Sequence, residues 1–172
     1  MKNLTRLFYE SMCEVKSVGL EPGDIVNVSI NSRAKNRWGQ TRRVMNSRYD
    51  SIFSIDISDR LLHDNVSDEA AKETIIHEII HTIPGCFDHG RQWQIAAEKI
   101  NAKYPKYNIK RTNSPEEKGI QVTNDDYKYI VSCDVCHKEY GYNRAAKVIK
   151  NPNHFRCVCG GTLSIKTNTK AK

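Results

Sequence analysis

The chain has 172 residues, of which 38% are hydrophobic and 27% are charged, and its formal net charge is +7. This length suits one domain of ordinary size with a small appendage. The sequence has no apolar run of the roughly 20 residues that a membrane span needs, and its N-terminus lacks the features of a signal peptide. We therefore expect a cytoplasmic protein without a membrane partner, whose cysteines bind metal or stay free rather than form disulfides.

Positive charge is concentrated in two segments. Asn31 to Arg48 carries six basic residues and no acidic one, and Lys138 to Lys172 carries eight basic residues against Glu139 alone. Such a bias favours a polyanionic partner, with nucleic acid as the first candidate. A run of charged residues is more often a solubilising surface, so the charge alone does not establish a nucleic-acid partner. We expect DNA as a partner.

The N-terminal half alternates between helix and strand patterns. Apolar residues recur at helical spacing between about Asn3 and Val18, which predicts an amphipathic helix with Cys13 on its inner side. Alternating Val26, Val28 and Ile30 predict a half-buried strand. Two further strand candidates follow, a weak one at Trp38–Val44 and a stronger one at Ser51–Ile57.

Two helices are predicted in the middle of the chain. Ser67 has the character of an N-cap, with acidic residues in the first turn behind it, and this helix is expected to run to about Thr82. The next helix spans about Gly90 to Tyr104, with Trp93 on its inner face.

The first of these helices contains the most informative motif. His77 and His81 are four residues apart on one helical face, so both imidazoles can reach one metal ion, and Glu78 can act on a zinc-activated water as general base. A bare motif of this kind also occurs on surface helices with solvated histidines. Here the flanking residues are apolar, which indicates a buried helix whose histidines need partners.

A third histidine follows at the right place. Pro84 and Gly85 should end the helix and turn the chain back, which lets His89 join His77 and His81. Three histidine ligands leave one coordination position open, as in catalytic zinc sites. No residue is firmly indicated for oxyanion stabilisation. Tyr49 and Arg91 are weak candidates that ordinary surface roles explain better, and Asp88 either orients a ligand histidine or caps the loop.

A second metal site is expected near the C-terminus. Cys133 and Cys136 form a CxxC pair, and Cys157 and Cys159 form a CxC pair twenty residues later, which predicts a four-thiolate structural zinc site in a zinc ribbon. Because a standard ribbon uses two CxxC pairs, His137 or His154 remains an alternative for one ligand. The predicted layout is a first domain at 1–112 that contains the histidine motif, a linker at 113–126, the ribbon at 127–165 and a disordered tail at 166–172.

With these motifs in place, the chain resembles the SprT-like zinc metalloprotease family, to which the Spartan DNA–protein crosslink proteases belong. The resemblance covers nearly the whole chain, and its segments are His77–His81, His89–Gly90 with Trp93, Ala34–Gln40, Ser54–Ser58, Cys133 with Cys136, and Phe155–Leu163. The loop between His81 and His89 is short, so features of longer-loop relatives do not carry over.

The resemblance implies a compact α+β domain of the zincin type, with His77, His81 and His89 as zinc ligands and Glu78 as general base. It implies a zinc metalloendopeptidase that holds one catalytic and one structural Zn²⁺ and cleaves protein substrates, with DNA-associated proteins expected. Two alternatives stay open: a non-catalytic, zinc-stabilised nucleic-acid-binding protein, and a metallopeptidase unrelated to DNA. The sequence does not indicate an oligomeric state.

Overall fold

A computed structural model describes residues 1–33, 37–45, 51–120, 124 and 127–167. These residues fall into two compact units, Met1–Ile120 and Gln121–Lys172. Several features of the sequence lie outside the described residues, namely Tyr49, the basic residues Lys35 and Arg48, the segment 34–36, most of 121–126 and the end of the tail at 168–172. None of the helices in the described part of the chain combines the length and apolar character that crossing a bilayer requires.

The first unit is a mixed α+β structure. Its elements are α1 (Leu4–Lys16), β1 (Asp24–Asn31), β2 (Gly39–Met45), β3 (Ser51–Ser58), a 3₁₀ turn (Asp59–Leu62), α2 (Asp68–Ile80), α3 (Arg91–Lys103) and a second 3₁₀ turn (Glu116–Lys118). The strand order is β1–β3–β2, with β1 parallel and β2 antiparallel to β3. The α+β class expected from the sequence is therefore confirmed.

Strand β3 and helix α2 form the centre of the first unit. Phe53, Ile55 and Ile57 of β3 are buried, as expected for a strand with a neighbour on each side. Helix α2 is buried on most of its surface, and Ser67 caps its N-terminus by accepting a hydrogen bond from the amide of Ala70. The helix that carries two of the three histidines is thus held within the core rather than on the surface.

Strand β1 is less buried than its alternating pattern predicts. Val26 and Ile30 are 60% and 45% exposed. The pairing of β1 with β3 shifts register between Ile25 and Asn27, and such an irregularity changes which side chains point to which face. Cys13 of α1 is also exposed, not on the inner face, since Leu7, Ser11 and Val15 form the buried stripe of that helix.

A buried ionic network joins α1 to α2. Nζ of Lys72 lies 2.8 Å from a carboxylate oxygen of Glu14 and 3.3 Å from one of Glu10. The hydroxyl of Tyr107 donates to the other oxygen of Glu14 over 2.7 Å. Because a buried ammonium needs partners, this network fixes the position of α2 against α1 and against the chain after α3.

Residues 104–120, the return segment, pack back onto the first unit. Tyr107, Ile109 and Ile120 belong to the hydrophobic core, and Lys118 is only 1% exposed. Nζ of Lys118 donates to Oε2 of Glu73 over 2.7 Å and to the carbonyl of Ala70 over 3.2 Å. Residues 113–120, which their polar composition placed in the expected linker, therefore belong to the first compact unit.

The second unit is a small antiparallel sheet. Its elements are β4 (Tyr129–Cys133), β5 (Glu139–Tyr142), a short helix α4 (Lys147–Lys150), a 3₁₀ turn (Pro152–His154) and β6 (Leu163–Thr167). The strand order is β5–β4–β6. We expected Lys166 and Thr167 in the disordered tail, but both belong to strand β6. They do so because Thr167 pairs with Tyr129 at the end of the sheet.

Candidate metal centres

Helix α2 and the loop after it bring His77, His81 and His89 together. The helix ends at Ile80, two residues earlier than expected, and His81 is its C-cap. Thr82 closes the last turn through its hydroxyl, which donates to the carbonyl of Ile79 over 2.7 Å. Gly85 has a φ of 80°, a left-handed conformation that suits glycine, and it allows the chain to reverse towards α3.

The three imidazoles converge through their Nε2 atoms. Nε2 of His77 lies 3.2 Å from Nε2 of His81 and 2.9 Å from Nε2 of His89. Zinc–nitrogen bonds of about 2.0–2.1 Å at tetrahedral angles place ligand nitrogens roughly 3.3 Å apart. The observed separations are close to that value, so the cluster has the size of a zinc site.

The outer nitrogens of two of these histidines are bonded to backbone carbonyls. Nδ1 of His77 lies 3.1 Å from the carbonyl oxygen of Lys110, and Nδ1 of His81 lies 3.0 Å from that of Cys86. A carbonyl can only accept, so each Nδ1 must carry the proton and donate. The lone pair of each Nε2 is then free to face the centre of the cluster, which is the tautomer that metal binding requires.

Burial keeps these imidazoles neutral. Burial, together with the neighbouring His81 and His89, lowers the pKa of His77 to about 3. The pKa values of His81 and His89 are also below the ordinary value, again mainly because of burial. A metal ion binds only unprotonated imidazole. The lowered pKa values therefore favour binding of a divalent cation over protonation of the three histidines.

Trp93 of α3 supports all three histidines from one side. The centroids of its rings lie 4.7 Å from His77, 5.8 Å from His81 and 4.8 Å from His89. The indole is buried, and its Nε1 has no hydrogen-bond partner among the described residues. The large aromatic side chain limits the rotation of the imidazoles and keeps them facing one another.

Glu78 lies beside the cluster in a buried position. It is 6% exposed, and its Oε2 and its backbone carbonyl oxygen each lie 2.8 Å from Oγ1 of Thr41 on β2. Burial raises the pKa of this carboxyl to about 7, although the hydrogen bond from Thr41 acts in the opposite direction. A carboxyl that titrates near neutral pH can both accept and release a proton at that pH.

A cavity of about 230 Å³ opens next to Glu78 and His77. Eight residues from three parts of the first unit form its lining, namely Trp38, Gly39, Thr74, His77, Glu78, Arg111, Thr112 and Asn113. The cavity therefore gives a reactant access to both a candidate ligand and the carboxylate.

Two of the secondary candidates from the sequence, Asp88 and Arg91, are among the described residues, whereas Tyr49 is not. A side-chain oxygen of Asp88 accepts from the amide of Gly90 over 2.9 Å, which is a loop-capping contact. Arg91 begins α3 and is not among the described residues that line the cavity. Thr41 and Arg111 were missed by sequence reasoning, since both approach the site only through the tertiary fold.

The four cysteines form a second cluster, within the second unit. Sγ of Cys133 lies 3.5 Å from that of Cys159, and Sγ of Cys136 lies 3.5 Å from that of Cys157. Among the described residues this group contains four thiols and neither His137 nor His154. The CxC pair thus reaches the same centre as the CxxC pair.

The surroundings of two of these cysteines, Cys133 and Cys157, lower their pKa values and favour thiolates, whereas the neighbouring thiols raise the pKa of Cys136. The amides of Val135 and Cys136 point at Sγ of Cys133 from 3.4 and 3.5 Å. A backbone hydrogen bond from Cys159 and the hydroxyl of Tyr140 lower the pKa of Cys157 to about 6. A Cβ at Gly161 would lie 2.7 Å from Sγ of Cys133, so the loop needs glycine there. The donor set suits a structural zinc ion.

Comparison with known proteins places these sites in context. The SprT-like family matches residues 7–113 of the chain. The chain is 30% identical over 105 residues to "Germ cell nuclear acidic protein" of Drosophila melanogaster, an alignment that covers 58% of this chain and 9% of that protein. The chain therefore spans less than a tenth of this relative. No solved structure gave a significant match.

Proposed function

Since the match covers most of its first unit, the chain belongs to the SprT-like family, and we propose that it is a zinc-dependent metallopeptidase with a zincin-type catalytic domain. The family is associated with metallopeptidase-like function. The observation that carries the proposal is the convergence of three Nε2 atoms beside the buried Glu78, at the edge of a cavity. His77, His81 and His89 would hold the catalytic ion.

The chemistry follows from the residues around this cluster. When bound, zinc would supply Lewis acidity that lowers the pKa of water and polarises a peptide carbonyl. Glu78 takes a proton from the attacking water and delivers it to the leaving amine. Thr41 holds the carboxylate of Glu78 in place, and the carbonyls of Lys110 and Cys86 hold two of the imidazoles in the productive tautomer.

The decisive variant is Glu78→Gln, which keeps the shape of the side chain and removes the base. We expect it to bind as much zinc as wild type and to lose at least about 100-fold in the cleavage of protein substrates. Glu98→Gln, at an exposed position on α3, is the matched control and should cleave normally. Full activity in the Glu78→Gln protein would contradict the proposal.

The second unit supports a nucleic-acid partner. A cavity of about 440 Å³ there is lined by three aromatic and two basic residues, together with apolar neighbours. The aromatic and basic residues are Tyr140, Tyr142, Phe155, Lys147 and Arg156. Stacking surfaces next to cations are typical of proteins that bind single-stranded nucleic acid. The proposed substrates are accordingly proteins associated with DNA.

Binding of single-stranded DNA, measured by fluorescence anisotropy at several salt concentrations, tests this partner. Tyr142→Ala and Arg156→Ala should each weaken binding by about tenfold, since base stacking contributes roughly 1–3 kcal/mol. Lys166→Ala, on β6 and outside the described lining of this cavity, controls for loss of net charge. Equal loss in Arg156→Ala and Lys166→Ala, with binding unchanged in Tyr142→Ala, would indicate a general charge effect. No binding at all would favour a metallopeptidase unrelated to DNA.

A non-catalytic role remains the rival interpretation. In that case the histidine cluster would be structural, and a fourth protein ligand would be expected near it. The described residues offer three candidate ligands in this group. The name of the Drosophila relative places that protein in the nucleus, and the cytoplasmic location of this chain stays a prediction.

A further inference from the structure

The cavity beside the histidine cluster has a wall that the proposed chemistry does not use. Arg111, Thr112 and Asn113 of the return segment line it, together with residues of α2 and residues at the start of β2. Because Glu78 and His77 also belong to the lining, a peptide bond that reaches them brings a neighbouring side chain of the substrate to this cavity. In the proposed reaction the residues of this wall would therefore lie next to a side chain that distinguishes one substrate from another.

The wall is anchored on both sides of Arg111. The carbonyl of Lys110 accepts from His77 over 3.1 Å, and the carbonyl of Asn113 accepts from the indole of Trp38 over 3.4 Å. Further back, the amide and carbonyl of Ile109 are bonded to the side chain of Asn101 over 2.9 and 3.0 Å. These bonds fix the backbone at Arg111 on the rim of the cavity.

The pairing of Lys118 with Glu73 strengthens this anchorage. The same carboxylate of Glu73 accepts from the amide of Asn108 over 2.7 Å through its other oxygen. Glu73 belongs to α2, the helix that carries His77 and His81. The return segment is thus bonded to α2 both before and after Arg111, and the backbone at Arg111 cannot move from the site without breaking these bonds.

Arg111 itself carries a charge without a fixed partner in the described part of the chain. Its side chain is exposed, and no described carboxylate forms an ion pair with it. The acidic residue of the described lining is Glu78, which is buried and bonded to Thr41.

We propose that Arg111 determines substrate specificity by pairing with an acidic side chain of the substrate in this cavity. The polar Thr112 and Asn113 beside it would complete the contacts to a carboxylate. Peptides with Glu or Asp next to the cleaved bond are then preferred over peptides with Lys at that position. This inference rests on the proposed peptidase function.

The test uses a mixture of synthetic peptides with Glu, Gln or Lys at each position next to the cleaved bond. The cleavage sites are identified by mass spectrometry. The zinc-loaded full chain should give kcat/KM for Glu roughly fivefold above that for Lys. Arg111→Glu should reverse the order, and Arg111→Lys should keep it. Lys99→Glu, an exposed charge reversal on α3 outside the described lining, should leave the preference unchanged.

A binding measurement separates this inference from the proposed function. Zinc-loaded Glu78→Gln protein, with and without Arg111→Glu, is titrated with fluorescent Glu and Lys peptides. A preference for Glu that disappears in the double variant supports the inference even if wild type cleaves no peptide, an outcome that would count against the peptidase function alone. Equal affinity for both peptides, or a preference that survives Arg111→Glu, overturns it.

Discussion

Gly39 and Glu78 touch so closely that a Cβ at position 39 would lie 2.6 Å from both Cγ and Oε1 of Glu78. The backbone of β2 therefore forms the wall against which the carboxylate rests. Thr41, two residues further along the same strand, bonds to that carboxylate from the same face. Strand β2 thus positions the proposed general base both by steric contact and by a hydrogen bond.

Gly39→Ala should misplace the carboxylate of Glu78. The added methyl group must displace either the side chain of Glu78 or the backbone of β2, and small misplacements of a catalytic group can cost about 100-fold in rate. We expect kcat to fall by that order with zinc content unchanged. Gln40→Ala, at the adjacent position, is the control. Normal kcat in Gly39→Ala would show that the contact does not position Glu78.

Lys118→Ala should destabilise the first unit strongly. It leaves the carboxylate of Glu73 buried without its cation, which costs about 3–5 kcal/mol. The free energy of unfolding, measured by urea denaturation, should fall by that amount. In the double variant Lys118→Met with Glu73→Leu most of the loss should be recovered, since no charge is left unpaired. An additive effect of the two changes would contradict the proposed pairing.

Cys159→Ser tests the composition of the second centre. If four thiolates hold one structural ion, this variant should bind one zinc per chain where wild type binds two. Loss of the ion should also unfold the second unit, which has few buried apolar residues of its own. If Cys159→Ser instead keeps both zinc ions, and adding His137→Ala or His154→Ala to it removes one of them, a histidine is the fourth ligand.

Trp93 should report the metal at the histidine cluster. Its indole contacts all three imidazoles, and a divalent cation would be the largest charge in its surroundings. The chain has two tryptophans, so Trp38→Phe leaves Trp93 as the sole indole. Its emission should change when zinc is removed and recover on addition, whereas Trp93→Phe should show a much smaller change. An unchanged spectrum in Trp38→Phe would count against metal binding beside Trp93.

The sequence predicts the local parts of the sites well. The spacing of His77, His81 and His89 requires only one helix and one turn, and the structure brings their nitrogens together. The four cysteines likewise meet through two short loops. The family is also recognisable from these motifs and is confirmed. In each case the relevant residues lie within a few turns of one another or follow a recurrent spacing.

Contacts between distant segments could not be predicted in this way. Thr41 reaches Glu78 across 37 positions, and the carbonyl of Lys110 reaches His77 across 33 positions. No sequence pattern identifies the hydroxyl of a residue in a weakly predicted strand, or a backbone carbonyl, as a partner of the site. The burial of Lys118 was missed for a related reason, since a lysine in a polar stretch is expected to be exposed unless its partner is known.

The most direct test of the central claim is the rate of peptide cleavage as zinc is returned to metal-depleted protein, for wild type and Glu78→Gln in parallel. We predict that wild type regains activity as the histidine cluster fills, and that Glu78→Gln takes up the same amount of zinc and stays inactive. Cleavage by the metal-free protein, equal cleavage by Glu78→Gln, or no cleavage by zinc-loaded wild type would contradict the account.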